Sequence, residues 1–171
     1  MFLNQLESAE YPTNFKNYIE ILDNVHLIEE LEISLSDFIK FVQNISIDKF
    51  DYRYAEGKWT IKDIIQHVID SERIFCYRAL RFSRNDSTEL PSFDEVSFST
   101  NTDANKRSIQ ELLADLSAVR YATLSLFKSF SKEQLLRSGL ASGNKISVRA
   151  IGFVILGHQK HHQLIFREKY L

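Results

Sequence analysis

Hydrophobic residues recur at steps of three and four positions in four long segments of this chain. In the first, residues 24–45, the apolar positions include Val25, Leu31, Phe38 and Ile45. This spacing places them on one face of an amphipathic helix. The same periodicity predicts helices over about residues 60–84, 104–130 and 148–169, and a shorter one near residues 15–22. No segment shows an alternation convincing enough to predict a strand.

Local signals mark where these helices begin. Thr60 is a good N-cap residue, and Asp63 three positions later makes a variant of the capping box. "SKEQ" at residues 131–134 is a capping box that opens a short helical turn, and Ser147 is the predicted N-cap of the fourth helix. "SGLASGNK" between these two caps is predicted to be a loop.

A polar stretch of some twenty residues, "NDSTELPSFDEVSFSTNTD", separates the second helix from the third. It is too long for a tight hairpin, so it is either a functional loop or a crossover along a bundle. Four amphipathic helices joined in this way predict an all-α four-helix bundle, with residues 1–171 forming a single domain.

Composition narrows the function classes. The 171 residues are 44% hydrophobic and 26% charged, with a net charge of −2, as in ordinary globular domains. No basic stripe stands out, which argues against nucleic acid as a partner. No apolar run is long enough to span a membrane, and the N-terminus lacks the features of a signal peptide. Because Cys76 is the single cysteine, no internal disulfide or Cys-based zinc site can form, and we expect a cytoplasmic protein.

Three of the five histidines lie within "LGHQKHHQLI", residues 156–165. On a helical wheel the apolar arc of the fourth helix is centred near 140°, and His158 and His162 fall at about 120° and 160°. His161 falls at about 60°, at the edge of that arc. His158 and His162 are therefore an i, i+4 pair on the core-facing side, and two such rings can offer nitrogens to one metal ion.

The alternative is that His158 and His162 are hydrogen-bonded core residues, since a single i, i+4 pair of histidines arises easily by chance. A third ligand would favour the metal. His67, on the second helix, lies at the flank of an apolar arc and could face the interior. His26, next to Val25, is a weaker candidate. Three histidines without a fourth protein ligand would leave coordination positions open, as in catalytic rather than structural sites.

Several well-known chemistries are excluded by sequence. Gln159 follows His158, so the H-E-x-x-H metalloprotease motif is absent, and no phosphate-binding glycine loop occurs. No histidine has Glu three positions before it, which disfavours a ferritin-like di-iron site. Cys76 lies on the apolar side of the second helix, where a structural role is more typical than a nucleophilic one.

Three segments resemble the DinB-like superfamily, in particular the group with YfiT-type proteins that are named as metal-dependent hydrolases. The segments are "YRYAEGKWTIKDIIQHVIDSERIFCYRALRFSRND", "LPSFDE" and "SVRAIGFVILGHQKHHQLIFREKYL". A Trp-Thr entry to the second helix, a histidine about two turns later and a terminal G-H-x-x-x-H helix occur in that order. The similarity extends from about Tyr52 to Leu171.

The resemblance implies a four-helix bundle with up-down-down-up topology, in which the polar stretch is the crossover. It also implies a divalent metal, often nickel or zinc, held by His67, His158 and His162. Family members include enzymes that use a low-molecular-weight thiol, such as bacillithiol or mycothiol, and others proposed as hydrolases. A small-molecule substrate and a homodimer follow by the same analogy.

The chemistry implied is a metal that lowers the pKa of a bound thiol or water. Asp70 could orient a ligand or act as a base, although a surface pair with Arg73 or Lys62 is the favoured interpretation. Arg78 could meet an anionic substrate or form an ordinary salt bridge. The alternative function is a non-catalytic, metal-stabilised bundle that acts through association, with Phe93 and Phe98 of the crossover serving an interface.

Overall fold

Helices dominate the computed structural model, which describes residues 1–171. The α-helices are α1 (Lys16–Glu20), α2 (Leu27–Gln43), α3 (Ile61–Ser83), α4 (Glu95–Thr100), α5 (Ile109–Lys128), α6 (Lys132–Leu136) and α7 (Val148–Ile165). A π-helical turn, Phe166–Tyr170, continues α7. Single 3-10 turns lie at Leu3–Gln5, Ser8–Glu10, Thr13–Phe15, Ile47–Lys49 and Ala104–Lys106. The four long helices predicted from the periodicity are α2, α3, α5 and α7.

Capping side chains fix where the long helices begin. The Thr60 hydroxyl accepts a hydrogen bond from the Asp63 backbone N–H at 3.0 Å, and the Asp63 carboxylate accepts one from the Thr60 N–H at 3.0 Å. Ser147 accepts from Ala150 at the start of α7. α5 begins later than the predicted residue 104, because Ser108 forms a capping box with Glu111 and the 3-10 turn precedes it.

The bundle is a square of helices in which sequence neighbours are not always spatial neighbours. α3 packs against α5 and α7, and α2 packs against the same two helices. Two hydrophobic clusters fill the interior, one around Leu31, Phe127 and Phe153 and the other around Phe38, Leu116 and Phe166. The predicted four-helix bundle is confirmed. No helix of the structure has the length and apolarity needed to cross a membrane.

The segment predicted as a loop, "SGLASGNK", is instead a β-hairpin. β1 (Ser138–Ala141) pairs antiparallel with β2 (Asn144–Ser147). The two turn residues, Ser142 and Gly143, have φ values of 55° and 74°, as a type I′ turn requires. The strands are four residues long and contain few β-branched residues, so alternation could not reveal them.

The long crossover between α3 and α5 is partly ordered into α4. Asp94 caps this helix, because its carboxylate accepts hydrogen bonds at 3.0 Å from the backbone N–H groups of Val96 and Ser97. Leu90, earlier in the crossover, bridges to Ala141 of the hairpin. The crossover is therefore fixed before α4 and at the N-terminus of α4.

The short helix α1 lies across α7, within the segment predicted from residues 15–22. The contact depends on Gly157, since a Cβ atom there would lie 1.9 Å from the backbone oxygen of Tyr18. The glycine thus lets α1 approach α7 directly beside His158.

Candidate metal centre

The structure brings His67, His158 and His162 together between α3 and α7. The Nε2 atom of His158 lies 2.9 Å from that of His67 and 3.1 Å from that of His162. One nitrogen from each of the three rings lies within 4.8 Å of the other two. All three residues are buried, with 7%, 5% and 8% of their surface exposed.

Helix geometry accounts for this convergence. His158 and His162 are one turn apart on α7, so their rings lie on the same face and turn towards α3. His67 meets them from α3, where the Ser71 hydroxyl lies 3.5 Å from its Nδ1 atom. Such a partner on the second nitrogen orients a ligating imidazole.

The remaining two histidines lie outside the cluster. His161 is half-buried and packs against the ring of Tyr18, with centroids 5.2 Å apart. His26 precedes α2, packs on Phe2 and lies 3.6 Å from the Glu29 carboxylate. The wheel's division of the histidine segment into a core-facing pair and a boundary residue therefore matches the structure.

Burial keeps the three imidazoles neutral. Loss of solvation lowers the pKa of His67 to about 4 and that of His162 to about 3. The pKa of His158 is lowered further, first by burial and then by the neighbouring rings. Neutral imidazoles keep a free lone pair near pH 7, which is the form that binds metals.

The donor set fits a divalent metal ion, and zinc gives a scale for the distances. Zn–N bonds of about 2.0–2.1 Å in a tetrahedron place ligand nitrogens about 3.3 Å apart. The Nε2 separations of 2.9 and 3.1 Å are within a few tenths of an ångström of that value. His162 also has a buried Nδ1 atom without a hydrogen-bond partner, so the polar contact of this ring is the one between its Nε2 atom and that of His158.

Aromatic side chains surround the cluster. The rings of Trp59 and His67 have centroids 5.0 Å apart, and those of Tyr18 and His158 are 5.4 Å apart. Phe75 completes the wall beside His158 at 6.1 Å. These apolar faces exclude water and strengthen any electrostatic interaction at the histidine nitrogens.

Two cavities border the cluster, and the crossover covers both. The first, about 10 Å³, has His67 in its wall together with Asp63, Asp70, Glu95 and Phe98. This volume is near the minimum that one water molecule needs. The second, about 290 Å³, is lined by His162 and, among others, by Val96 of α4. α4 therefore lies over the faces of the site that point away from the bundle core.

Glu95 differs from the other carboxylates of the small cavity. Asp63 is engaged by Thr60 and Asn105, and Asp70 by Gln66 and Arg73, whereas Glu95 has no hydrogen-bond donor on it. Glu95 is exposed at the surface, but partial desolvation beside the cavity, reinforced by the charge of Asp94, raises its pKa. Its own charge in turn adds to the effect of burial in raising the pKa of Tyr18, so the two residues are close. Glu95 was not predicted from the sequence, although Asp94 before "EVSF" is a recognisable N-cap.

Three other residues considered from the sequence have structural partners. Asp70 accepts from Gln66 at 2.9 Å and from Arg73 at 3.4 Å, in agreement with the surface-pair interpretation. Burial raises the pKa of the Cys76 thiol to about 12, and its sulfur contacts the Thr123 hydroxyl. Arg78 forms no salt bridge at all and instead contacts the hairpin and the crossover.

A buried polar network beside the histidines was not predicted. Arg120 of α5 is fully buried and donates to both carboxylate oxygens of Glu72, at 2.8 and 2.9 Å. It also donates to the side chains of Gln159 and Ser34, at 2.7 and 2.9 Å. These residues come from α3, α7 and α2, so one guanidinium joins all four long helices.

Comparisons with known proteins agree with the fold. The family model of the DinB superfamily matches residues 30–166. A protein of Oceanobacillus iheyensis, named as a proposed metal-dependent hydrolase, is 24% identical over 144 residues, which cover 82% of each chain.

Solved structures show the same architecture at low identity. The YfiT protein of Bacillus subtilis, described as a proposed metal-dependent hydrolase with an unusual four-helix bundle topology, superposes with a TM-score of 0.72 at 20% identity. The match covers 83% of this chain and 82% of that one. A mycothiol-dependent maleylpyruvate isomerase gives 0.63 at 13% identity, over 82% of this chain but 60% of the isomerase.

Proposed function

This chain belongs to the DinB superfamily, and from that membership and its three convergent histidines we propose that it is a divalent-metal-dependent enzyme. The ion is Ni²⁺ or Zn²⁺, bound by His67, His158 and His162. The observation that carries the proposal is the convergence of the Nε2 atoms of His67 and His162, both buried and neutral, on the Nε2 atom of His158 without a fourth protein ligand. That arrangement leaves room for a small exogenous ligand, as catalytic sites do.

When bound, such an ion acts as a Lewis acid that makes water or a thiol a better nucleophile near neutral pH. The reaction is accordingly either hydrolysis or the transfer of a low-molecular-weight thiol, such as bacillithiol, to an electrophilic substrate. The small cavity beside His67 supports water as one nucleophile. The resemblance in fold to a mycothiol-dependent isomerase supports a thiol as the other.

The chain's own residues divide the remaining work. Ser71 orients the ring of His67, and Trp59, Tyr18 and Phe75 shield the nucleophile from bulk water. Glu95 accepts the proton that the nucleophile releases, on a carboxylate oxygen that no protein donor occupies. A carboxylate whose pKa is raised is a suitable proton acceptor near neutral pH.

Metal content of the purified protein tests the ligand set. We expect about one equivalent of Ni²⁺ or Zn²⁺ in the wild type and a loss of at least tenfold in affinity for His158→Ala. His161→Ala is the matched control, since it removes the adjacent histidine and should leave the metal in place. A wild-type protein without stoichiometric metal and without affinity for either ion would refute the proposal.

Activity separates the two reactions from a non-catalytic bundle. Metal-loaded protein is incubated with an electrophile, with and without added thiol, and with an activated ester. We expect Glu95→Gln to lose about 10²-fold or more of the rate at unchanged metal content. Glu89→Gln should keep the rate, because Glu89 lies on the same crossover and is also exposed but does not line the cavity beside His67. If chelation lowers thermal stability but no reaction depends on the metal, the ion is structural. The half-buried Phe93 and the exposed Phe98 would then be the candidate residues for a protein interface.

Further proposals concern the substrate, the location and the assembly of the protein. We propose a small-molecule substrate, a cytoplasmic location and a homodimer, with neither nucleic acid nor membrane as a partner. The family analogy supports the dimer, and a sedimentation measurement tests it.

A further inference from the structure

Arg78 is a buried cation without a counter-charge. It lies on α3 with 6% of its surface exposed, and no carboxylate forms an ion pair with it. Its Nη2 group donates to the Pro91 carbonyl at 3.0 Å and to the Ser142 hydroxyl at 3.1 Å. The Nη1 and Nε groups have no acceptor in the protein. Arg120 differs in this respect, because its buried charge is neutralised by Glu72, whose two carboxylate oxygens both accept hydrogen bonds from it.

A cavity of about 130 Å³ adjoins this guanidinium. It lies where the N-terminal segment, the crossover and the β-hairpin meet at one end of the bundle. Apolar rings and neutral polar side chains make up most of its wall, namely Phe15, Phe75, Phe93, Asn14, Ser142 and Asn144, and Glu95 is its one acidic member. A buried charge is costly unless it is paired, so this mixture of one free cation and apolar walls favours an anionic ligand with a small apolar body.

The cavity is adjacent to the histidine cluster. Phe93 and Glu95 line both this cavity and the small one that contains His67. On α3, Arg78 follows His67 by eleven residues, which is about three turns, so both lie on the same face with Cα atoms about 16 Å apart. Phe75 stands between them and contacts His158.

We propose that the Arg78 cavity is a carboxylate-binding subsite for a small molecule whose reacting group lies at the three histidines. This inference rests on the proposed function for its reaction but not for its binding chemistry. Arginine presents a planar fork that matches a carboxylate in two hydrogen bonds. A phosphate dianion suits the cavity less well than a carboxylate monoanion, because Arg78 is the single cation in the wall and Glu95 would repel each further negative charge.

Binding of two matched ligands tests the subsite. The probes are 4-fluorobenzoate and its neutral isostere 4-fluorobenzamide, followed by ¹⁹F NMR with metal-free and metal-loaded protein. We expect wild-type protein to bind the benzoate at least tenfold more tightly than the benzamide. Arg78→Gln should abolish that preference. Arg81→Gln, which removes a neighbouring surface arginine paired with Asp86, should retain it.

Further variants separate the possible outcomes. Arg78→Lys keeps the charge but loses the fork, so it should bind the benzoate at an intermediate level. If Arg78→Gln does not fold, as judged by circular dichroism, the proposal is tested by Arg78→Lys and by the ratio of benzoate to benzamide affinity in the wild type. Equal binding of the two probes, or an Arg78→Gln protein that binds like the wild type, overturns the proposal.

The metal ligands supply the last control. In His158→Ala protein the Arg78-dependent binding of benzoate should persist, because the subsite is built from other residues. If benzoate binding is lost in His158→Ala protein but retained in Arg78→Gln protein, the benzoate was bound at the histidines and the proposal is wrong. If the wild type binds no metal yet shows Arg78-dependent binding, the proposed enzymatic function fails while the subsite stands.

Discussion

Replacement of Arg120 by Met removes the single buried cation that joins the four long helices. The substitution deletes two hydrogen bonds to Glu72 and those to Gln159, Ser34 and the Leu31 carbonyl. Glu72 is buried as well and would be left without its counter-charge. The expected effect is therefore that of an uncompensated buried charge rather than that of a lost surface contact.

The magnitude follows from the burial of both partners. Breaking a buried ion pair from one side typically costs about 3–5 kcal/mol. For a domain of this size each kcal/mol lowers Tm by about 2–4 °C, so Arg120→Met should melt roughly 6–20 °C below the wild type. The double variant Arg120→Met with Glu72→Leu should recover most of that loss, because it removes both charges and keeps the volume.

The assay is urea unfolding of metal-free protein, followed by circular dichroism, so that metal binding does not contribute. Arg73→Met is the matched control, since Arg73 forms a half-exposed ion pair with Asp115 and should cost about 1 kcal/mol or less. Two results would refute this reasoning: a loss below 1 kcal/mol for Arg120→Met, or a double variant that is less stable than the single one. Either would show that the destabilisation does not come from leaving the Glu72 charge buried and unpaired.

Three further predictions concern residues around the histidines. Cys76→Ala should retain the metal and the activity. Because burial raises the pKa of this thiol to about 12, native protein should react very slowly with iodoacetamide at pH 8, and rapid alkylation would contradict this. Gly157→Ala should lower the unfolding free energy by about 1–3 kcal/mol, since the new Cβ meets the Tyr18 backbone; an unchanged urea midpoint would show that α1 moves freely. Ni²⁺ should quench the fluorescence of Trp59, the only tryptophan, and a His67→Ala protein that is quenched equally would place the ion elsewhere.

The long helices and the histidine pair could be predicted from sequence because their signals are local. The apolar periodicity needs only a window of a few turns, and the capping residues Thr60 and Ser147 lie beside the helices they begin. His158 and His162 are one turn apart, so a wheel suffices to place them. The approach of this pair to His67, which precedes His158 by ninety-one residues, was implied by the family resemblance and not by the residues alone.

The features that were missed depend on distant partners. Glu72 and Arg120 interrupt apolar patterns in the same way as solvent-facing residues do, and only the packing of α3 against α5 makes them a buried pair. The β-hairpin owes its turn to Ser142 at a positive φ, which is uncommon outside glycine and asparagine. Glu95 becomes part of the site only through the path of the crossover.

The adjacency of His158 and Gln159 links the buried network to the candidate metal centre. Successive residues of a helix point about 100° apart, so α7 turns His158 towards His67 while Gln159 accepts from Arg120. Gln159 also donates to the Ser34 carbonyl at 3.0 Å, which fixes α7 against α2 as well. A rotation of α7 that moved the histidines would break both hydrogen bonds in the bundle interior. The network therefore holds the three imidazoles in position in the metal-free protein. The free energy of metal binding is then not reduced by a cost of ordering the helices.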